Sequence, residues 1–307
     1  MPYSLCLGFD FEGPVNHPIV PIDSPIDETP QVQDLIRRAL EEDIGTGDVT
    51  TLALVPKDRQ GRASLVTRQA CCISGLAIAA RVFKTVDPLC QIDHHRQDGE
   101  SADSGDTLMT VSGPARALLT AERTALNIVQ RLTGIATLTQ AFVQAVRPHS
   151  TAILDTRKTT PTLRLLEKYA VVCGGGTNHR MGLYDMILIK DNHRFLWSGD
   201  SGGSLAGALQ KARSVYPFIP LEIEVESLAE LRDALQGNPD WVLLDNMTTA
   251  LMRECVSLCK GRCRTEASGG ITLSRVADVA ATGVDAISIG ALTHSAPAAD
   301  LSLEMTL

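Results

Sequence analysis

The chain has 307 residues, of which 44% are hydrophobic, 21% charged and 4% aromatic, with a formal net charge of −8. This balance fits a soluble globular protein built as one large domain or two ordinary ones. Scarce aromatics and an acidic excess argue against a nucleic-acid surface, and no apolar run approaches the roughly 20 residues that span a bilayer.

The first 36 residues contain no Lys or Arg. Targeting segments need basic residues there, so a cytoplasmic location is expected. Residues 1–30 are rich in Pro and Asp with little periodicity, and read as a mobile N-terminal arm. From about Thr29, the residues Val32, Leu35, Ile36 and Leu40 recur near the helical period. That helix is expected to close over 41–48, where Gly45 and Gly47 turn the chain. Residues 62–68 alternate polar and apolar, which predicts a strand. Ser74 and Gly75 open a second helix to about Val86, and 90–113 reads as short strands joined by Gly99, Gly105 and Gly113.

A long helix is predicted from about 115 to 146. Leu118, Leu119, Leu126, Ile128, Val129 and Leu132 spread over more than one of its faces, beside a polar stripe of Arg123, Asn127 and Arg131. A helix apolar on several sides needs cover on several sides, and part of that cover is expected from a second subunit.

After Pro148 the pattern changes to short apolar runs at 152–154, 186–189, 221–225, 241–244 and 286–289, separated by helical or glycine-rich segments. This is a βα repeat and implies a parallel sheet. Each run ends in a polar or glycine-rich signature, at 155–158, 190–193, 224–226, 245–246 and 288–290. Ser268, Gly269 and Gly270 close a weaker candidate strand. Sites of parallel α/β proteins lie at the carboxyl ends of the strands, so these endings predict a barrel with its mouth as the active site.

Three groups at those ends carry chemistry. Arg157, Lys158, Arg164, Lys168, His179, Arg180, Lys190 and His193 concentrate positive charge in an anionic chain. A ligand with several negative charges would require it. Glu222, Glu224 and Glu226 alternate along one strand and share a face, where cations or a metal must neutralise them. With Asp245 from the next strand they suit Mg²⁺ or sugar hydroxyls. The glycine turns at 268–270 and 288–290, each expected before a helix, suit phosphate.

Residues 173–177 (CGGGT) lack the GxGxxG spacing and are expected to be a flexible, close-packed loop. Cys71 and Cys72, with Cys255, Cys259 and Cys263 at four-residue steps, are expected to be reduced thiols packed as small apolar groups rather than a metal site. The residues alone describe a polyanion, a divalent metal, a sugar and a phosphate. They leave open a Schiff-base aldolase acting through Lys190 and a non-catalytic phosphosugar sensor.

The motifs AERTALN (121–127), DTRKTTP (155–161), the block 166–193, EIEVES (222–227), LLDN (243–246), SGGI (268–271) and ISIGALTH (287–294) occur together and in this order. This closely resembles the quinolinate phosphoribosyltransferases, over about residues 31–295. The resemblance implies the type II phosphoribosyltransferase fold, an α/β protein. An N-terminal α/β sandwich with its long linking helix (31–147) would join an incomplete parallel α/β barrel (148–292), and 293–307 would return to the N-terminal domain. Residues 1–30 and the glycine-rich 198–204, which reads as a local insertion, have no counterpart.

The same resemblance implies quinolinate and phosphoribosyl pyrophosphate as substrates, Mg²⁺ as cofactor, and a homodimer with shared sites. Arg123 from the neighbour, Thr156, Arg157, Lys158, His179, Arg180 and Lys190 would bind substrate. Glu224 and Asp245 would hold the metal, and Ser268, Gly269, Gly270, Ser288 and Gly290 the phosphate. Lys158, Lys190, Glu224 and Asp245 would be catalytic. A related transferase that takes nicotinate without decarboxylation is the nearest rival.

Overall fold

The structure is a computed structural model that describes residues 25–198 and 203–306. Residues 1–24 of the expected arm, and most of the expected insertion at 198–204, lie outside the described residues. From residue 25 the chain is packed. Ile26 is buried, and Asp27 accepts two hydrogen bonds from Arg81 at 3.0 and 2.7 Å.

Helix α1 (Pro30–Ile44) starts with proline in its first turn and buries Val32, Ile36 and Leu40 along one face. It ends at Gly45, whose φ of 54° lies in the region that glycine adopts without the strain a side chain would bring. The next helix, α2 (Val49–Leu54), was not predicted. Its 6 residues are too few to show a period, and its signal is the cap, where Asp48 Oδ1 accepts from Thr51 N–H at 3.0 Å.

The first sheet is antiparallel. It holds β1 (Gln60–Thr67), β3 (Gln91–His94), β5 (Thr107–Pro114) and β12 (Leu301–Thr306), in the order β12-β1-β5-β3. A small ladder pairs β2 (Cys71–Cys72) with β4 (Ser101–Ala102). Helix α3 (Leu76–Val86) and the 31-residue α4 (Ala115–Ala145) cover this sheet.

The last strand arrives from the far end of the sequence, pairing Arg62 with Thr306 and Thr67 with Leu301. Gly134 makes the crossing possible, because a Cβ there would stand 1.9 Å from the Pro297 carbonyl oxygen. Gln130 then fixes the segment, donating from Nε2 to Leu301 O at 2.8 Å and accepting from Ala299 N–H at 2.9 Å.

The second sheet is parallel and six-stranded, in the order β6-β11-β10-β9-β8-β7. Its strands are β6 (Ala152–Leu154), β7 (Ile187–Ile189), β8 (Leu221–Val225), β9 (Trp241–Asp245), β10 (Arg264–Ser268) and β11 (Ala286–Ser288). All six match predicted runs, including the weak candidate before Gly269. Among the described residues β6 and β7 do not pair, so the barrel stays open there. A single bridge from Leu154 to Thr177 lies at that gap. Helices α5 (Arg164–Cys173), α6 (Asp191–Ser198), α7 (Leu205–Val215), α8 (Leu228–Ala234), α9 (Thr249–Cys259), α10 (Val276–Ala280) and α11 (Ala291–His294) follow the strands.

The CGGGT segment lets α5 end against α4. A Cβ on Gly174 would meet Ala136 O at 2.4 Å, and one on Gly176 would meet Val171 Cγ1 at 2.7 Å. Among the described residues all cysteines are free, and none joins a group that could hold a metal. No described helix is long and apolar enough to cross a membrane.

Candidate active site

The strands of the parallel sheet end together and enclose a cavity of about 310 Å³. Arg157, Lys158, His179, Arg180 and Lys190 form its basic wall. Thr156, Ser268 and Ser288 add hydroxyls, and Leu188 and Leu243 supply the apolar surface. Eight of the predicted residues line the cavity: Thr156, Arg157, Lys158 and Lys190 just after β6 and β7, Ser268 and Ser288 at the ends of β10 and β11, and His179 and Arg180 from the segment between α5 and β7.

The guanidinium groups have unmet demand. Burial draws the Arg180 pKa down, and the Arg157 charge adds to that fall. Arg180 Nη1 donates to Met186 O at 3.0 Å. Arg157 Nε is buried with no acceptor within reach. A buried donor on a cation is costly unless an anion completes it.

Three of the expected cations stand elsewhere. Lys168 is fully buried and paired with Asp155, where it braces the barrel. Burial pushes Asp155 up to about 6 and draws Lys168 down, while each partner opposes the other's shift. Arg164 ties loops together, donating to Thr159 Oγ1 at 3.0 Å and Met181 O at 3.0 Å. The exposed His193 accepts at Nδ1 from Lys190 N–H at 3.0 Å. Closeness in sequence gathered these charges, but the turn of α5 sent Lys168 inward and Arg164 sideways.

The glutamates at 222, 224 and 226, the last just past β8, also separate. Glu224 is at the rim, 3.1 Å from Lys190 Nζ through Oε2. It forms a group with Glu226 and Asp245 whose ligand oxygens all lie within 4.8 Å of one another. Glu222 points deeper and is fully buried, with Oε2 3.2 Å from His179 Nε2. Glu266 of β10 reaches the same nitrogen at 3.3 Å and lines the cavity.

Burial opposes charge on the His179 ring, but Glu266 and Glu222 outweigh it and raise the pKa to about 10. Against this, Arg180 N–H donates to Nδ1 at 2.8 Å and disfavours a proton there. The geometry therefore holds the ring's proton on Nε2, between the carboxylates. Burial and the Glu266 charge raise Glu222 to about 7, so the cluster carries less negative charge than two free carboxylates.

Glu266 was not among the predicted site residues. The signal was present: it stands two residues before Ser268 on a strand and so shares that residue's face.

The glycine turns differ from expectation in one respect. Gly290 directly precedes α11, but α10 begins only at Val276, so Gly269 and Gly270 do not lie at a helix N-terminus. They take φ of 98° and 57°, and Gly269 passes so close to Asn246 that a Cβ would stand 2.2 Å from its Oδ1. Asn246 itself has φ of 52°, and its amide donates to Asp245 Oδ2 at 2.6 Å. On the other side a Cβ on Gly290 would stand 2.9 Å from Lys158 Cδ.

Arg123 is exposed on α4 and does not line the cavity of its own chain. Its stripe partner Arg131 turns inward instead, donating to Glu167 Oε1 at 2.9 Å and to Ala296 O at 3.0 Å.

Two family descriptions match the chain: the quinolinate phosphoribosyl transferase N-terminal domain over residues 48–133 and the C-terminal domain over residues 135–304. A Bacillus subtilis protein named as a probable nicotinate-nucleotide pyrophosphorylase (carboxylating) is 41% identical over 278 residues, 90% of this chain and 94% of that one. A Mycobacterium leprae nicotinate-nucleotide pyrophosphorylase (carboxylating) is 44% identical over 282 residues, 89% of this chain and 96% of that one. The solved structure of the nicotinate-nucleotide pyrophosphorylase from Francisella tularensis superposes with a TM-score of 0.85 at 38% identity, covering 92% of this chain and 99% of that one. By both domains, and by the fold that joins them, the chain belongs to the quinolinate phosphoribosyl transferase family.

Proposed function

We propose that the protein is a decarboxylating quinolinate phosphoribosyltransferase. It converts quinolinate and phosphoribosyl pyrophosphate to nicotinate mononucleotide, CO₂ and pyrophosphate, in de novo NAD synthesis. The observation that carries this reading is the buried, acceptor-less Nε of Arg157 in a cavity that Arg180, Leu188 and Leu243 also line. Such a slot suits a flat ring bearing adjacent carboxylates.

In this reading Arg157, Arg180, Lys158, Lys190, Thr156 and His179 form the acceptor site and aim the ring nitrogen at C1 of the ribose. Ser268, Gly269, Gly270, Ser288 and Gly290 receive the phosphate. Glu224 and Asp245, with Glu226 added by the geometry, fit a hard divalent cation because all three offer oxygen from a small volume. Mg²⁺ held there would neutralise charge on the pyrophosphate leaving group. Glu224 also faces positive charge developing on the ribose.

Transfer of the ribosyl group to nitrogen makes the ring cationic. The ring then accepts the electron pair left at C2 as the adjacent carboxylate leaves as CO₂. Lys158 or Lys190 supplies the proton that completes C2. Lys190 is paired with Glu224 at 3.1 Å and is 44% exposed, not desolvated in an apolar pocket as a Schiff-base nucleophile would be.

The exposed Arg123 fits a homodimer in which each subunit completes the neighbour's site. A cytoplasmic location belongs to the same proposal. Calorimetric titration tests the acceptor: pyridine-2,3-dicarboxylate should bind well ahead of pyridine-3-carboxylate, and equal binding would contradict a two-carboxylate site.

A further inference from the structure

His179 is held at every polar atom it possesses. Its peptide N–H donates to Asp155 Oδ1 at 2.8 Å, and its carbonyl accepts from Lys168 Nζ at 2.8 Å. In the ring, Nδ1 accepts from Arg180 N–H at 2.8 Å, while Nε2 lies 3.2 Å from Glu222 Oε2 and 3.3 Å from Glu266 Oε2. The ring can turn a nitrogen toward a ligand only by breaking one of these contacts. Its place is set from the barrel interior rather than from the cavity.

We infer that Glu266 is a positioning residue of the acceptor site, acting through the His179 ring on Arg180. The inference rests on the acceptor reading given above. Glu266 extends from β10 and Glu222 from β8, on either side of β9, and together they fix the ring edge. The opposite edge of the ring holds the amide from which the Arg180 side chain departs, and that side chain lines the cavity.

Glu266 is 1% exposed, so nothing in bulk water substitutes for its carboxylate. A carboxylate on the wall of a cavity for a dianion is otherwise a repulsive element. Its value is geometric, because an ångström of misplacement in a binding group costs on the order of 100-fold. Glu222 shares the contact, but it lies two residues from Glu224, so substituting it would disturb two groups at once.

The experiment compares Glu266→Gln with the unaltered protein by calorimetry, titrating pyridine-2,3-dicarboxylate and phosphoribosyl pyrophosphate separately, with a thermal melt of each protein. The variant keeps the shape of the side chain and one acceptor oxygen. The acceptor Kd is expected to weaken about tenfold. The donor Kd and the melting temperature are expected to stay close to those of the unaltered protein. In a His179→Gln background the same change should add nothing, since the path through the ring is already cut. Glu266→Asp restores the charge at shorter reach, and its acceptor Kd should fall between the two. If Glu266→Gln does not fold, the Asp variant carries the comparison alone.

An unchanged acceptor Kd would overturn the inference. So would a parallel loss of acceptor binding, donor binding and melting temperature, which is what a purely structural role produces. If the unaltered protein itself bound no pyridine-2,3-dicarboxylate, the acceptor reading would fail first, and the two failures are therefore distinguishable.

Discussion

Lys190 Nζ and Glu224 Oε2 lie 3.1 Å apart, joining the end of β7 to the end of β8 across the mouth of the cavity. The lysine side chain is 44% exposed, so solvent screens the pair and its contribution to stability is less than about 1 kcal/mol. Its value lies in holding a cation and a carboxylate where ribosyl transfer would occur. Lys190→Met and Glu224→Gln should each lower kcat by on the order of 100-fold. Their melting temperatures should shift by no more than about 4 °C. Steady-state kinetics beside thermal melts check both halves.

The carboxylate group at the rim predicts a metal requirement. Chelation should abolish turnover, and added Mg²⁺ should restore it. Asp245→Asn removes one charged oxygen from a group of three, so the Mg²⁺ concentration for half-maximal rate should rise about tenfold or more. Glu226→Gln should do the same more weakly, because Glu226 is exposed. A Mg²⁺ titration of each variant measures the effect.

Gly269 has no room for a side chain. With φ of 98° and Asn246 Oδ1 2.2 Å from an added Cβ, Gly269→Ala must move the 268–270 turn or Asn246. The backbone strain alone costs about 1–3 kcal/mol. The expected result is a raised KM for phosphoribosyl pyrophosphate with the KM for the acceptor little changed. The φ of Gly270 is also positive, but nothing stands within 4 Å of an added Cβ, so Gly270→Ala should be milder.

Arg123 offers a test of assembly. Arg123→Ala and Lys158→Ala should each be inactive alone. Mixed and allowed to exchange subunits, they should recover about a quarter of the unaltered activity, since half the dimers are mixed and each has one intact site. No recovery would rule out a site shared between subunits.

The parallel sheet was legible because five of its strands are short apolar runs that stop at a polar or glycine-rich signature, and the sixth, RTEAS, is marked by the glycine turn that closes it. Even the weak run before Gly269 proved to be β10 (264–268). Helix α2 was not legible, since its 6 residues carry no period and only the Asp48 cap marks it. Lys168 shows the limit for charge: local sequence gathers it with Arg157 and Lys158, yet it lies buried on Asp155. Glu266 shows the reverse, a carboxylate that charge clustering misses and only its shared strand face with Ser268 marks; β8 and β10 bring it and Glu222 to one histidine.

The most direct measurement mixes the purified protein with quinolinate, phosphoribosyl pyrophosphate and Mg²⁺, and follows CO₂ and nicotinate mononucleotide together. Equal molar release of the two products is the predicted result. A protein that forms neither, or that joins ribose to nicotinate without releasing CO₂, would contradict the account.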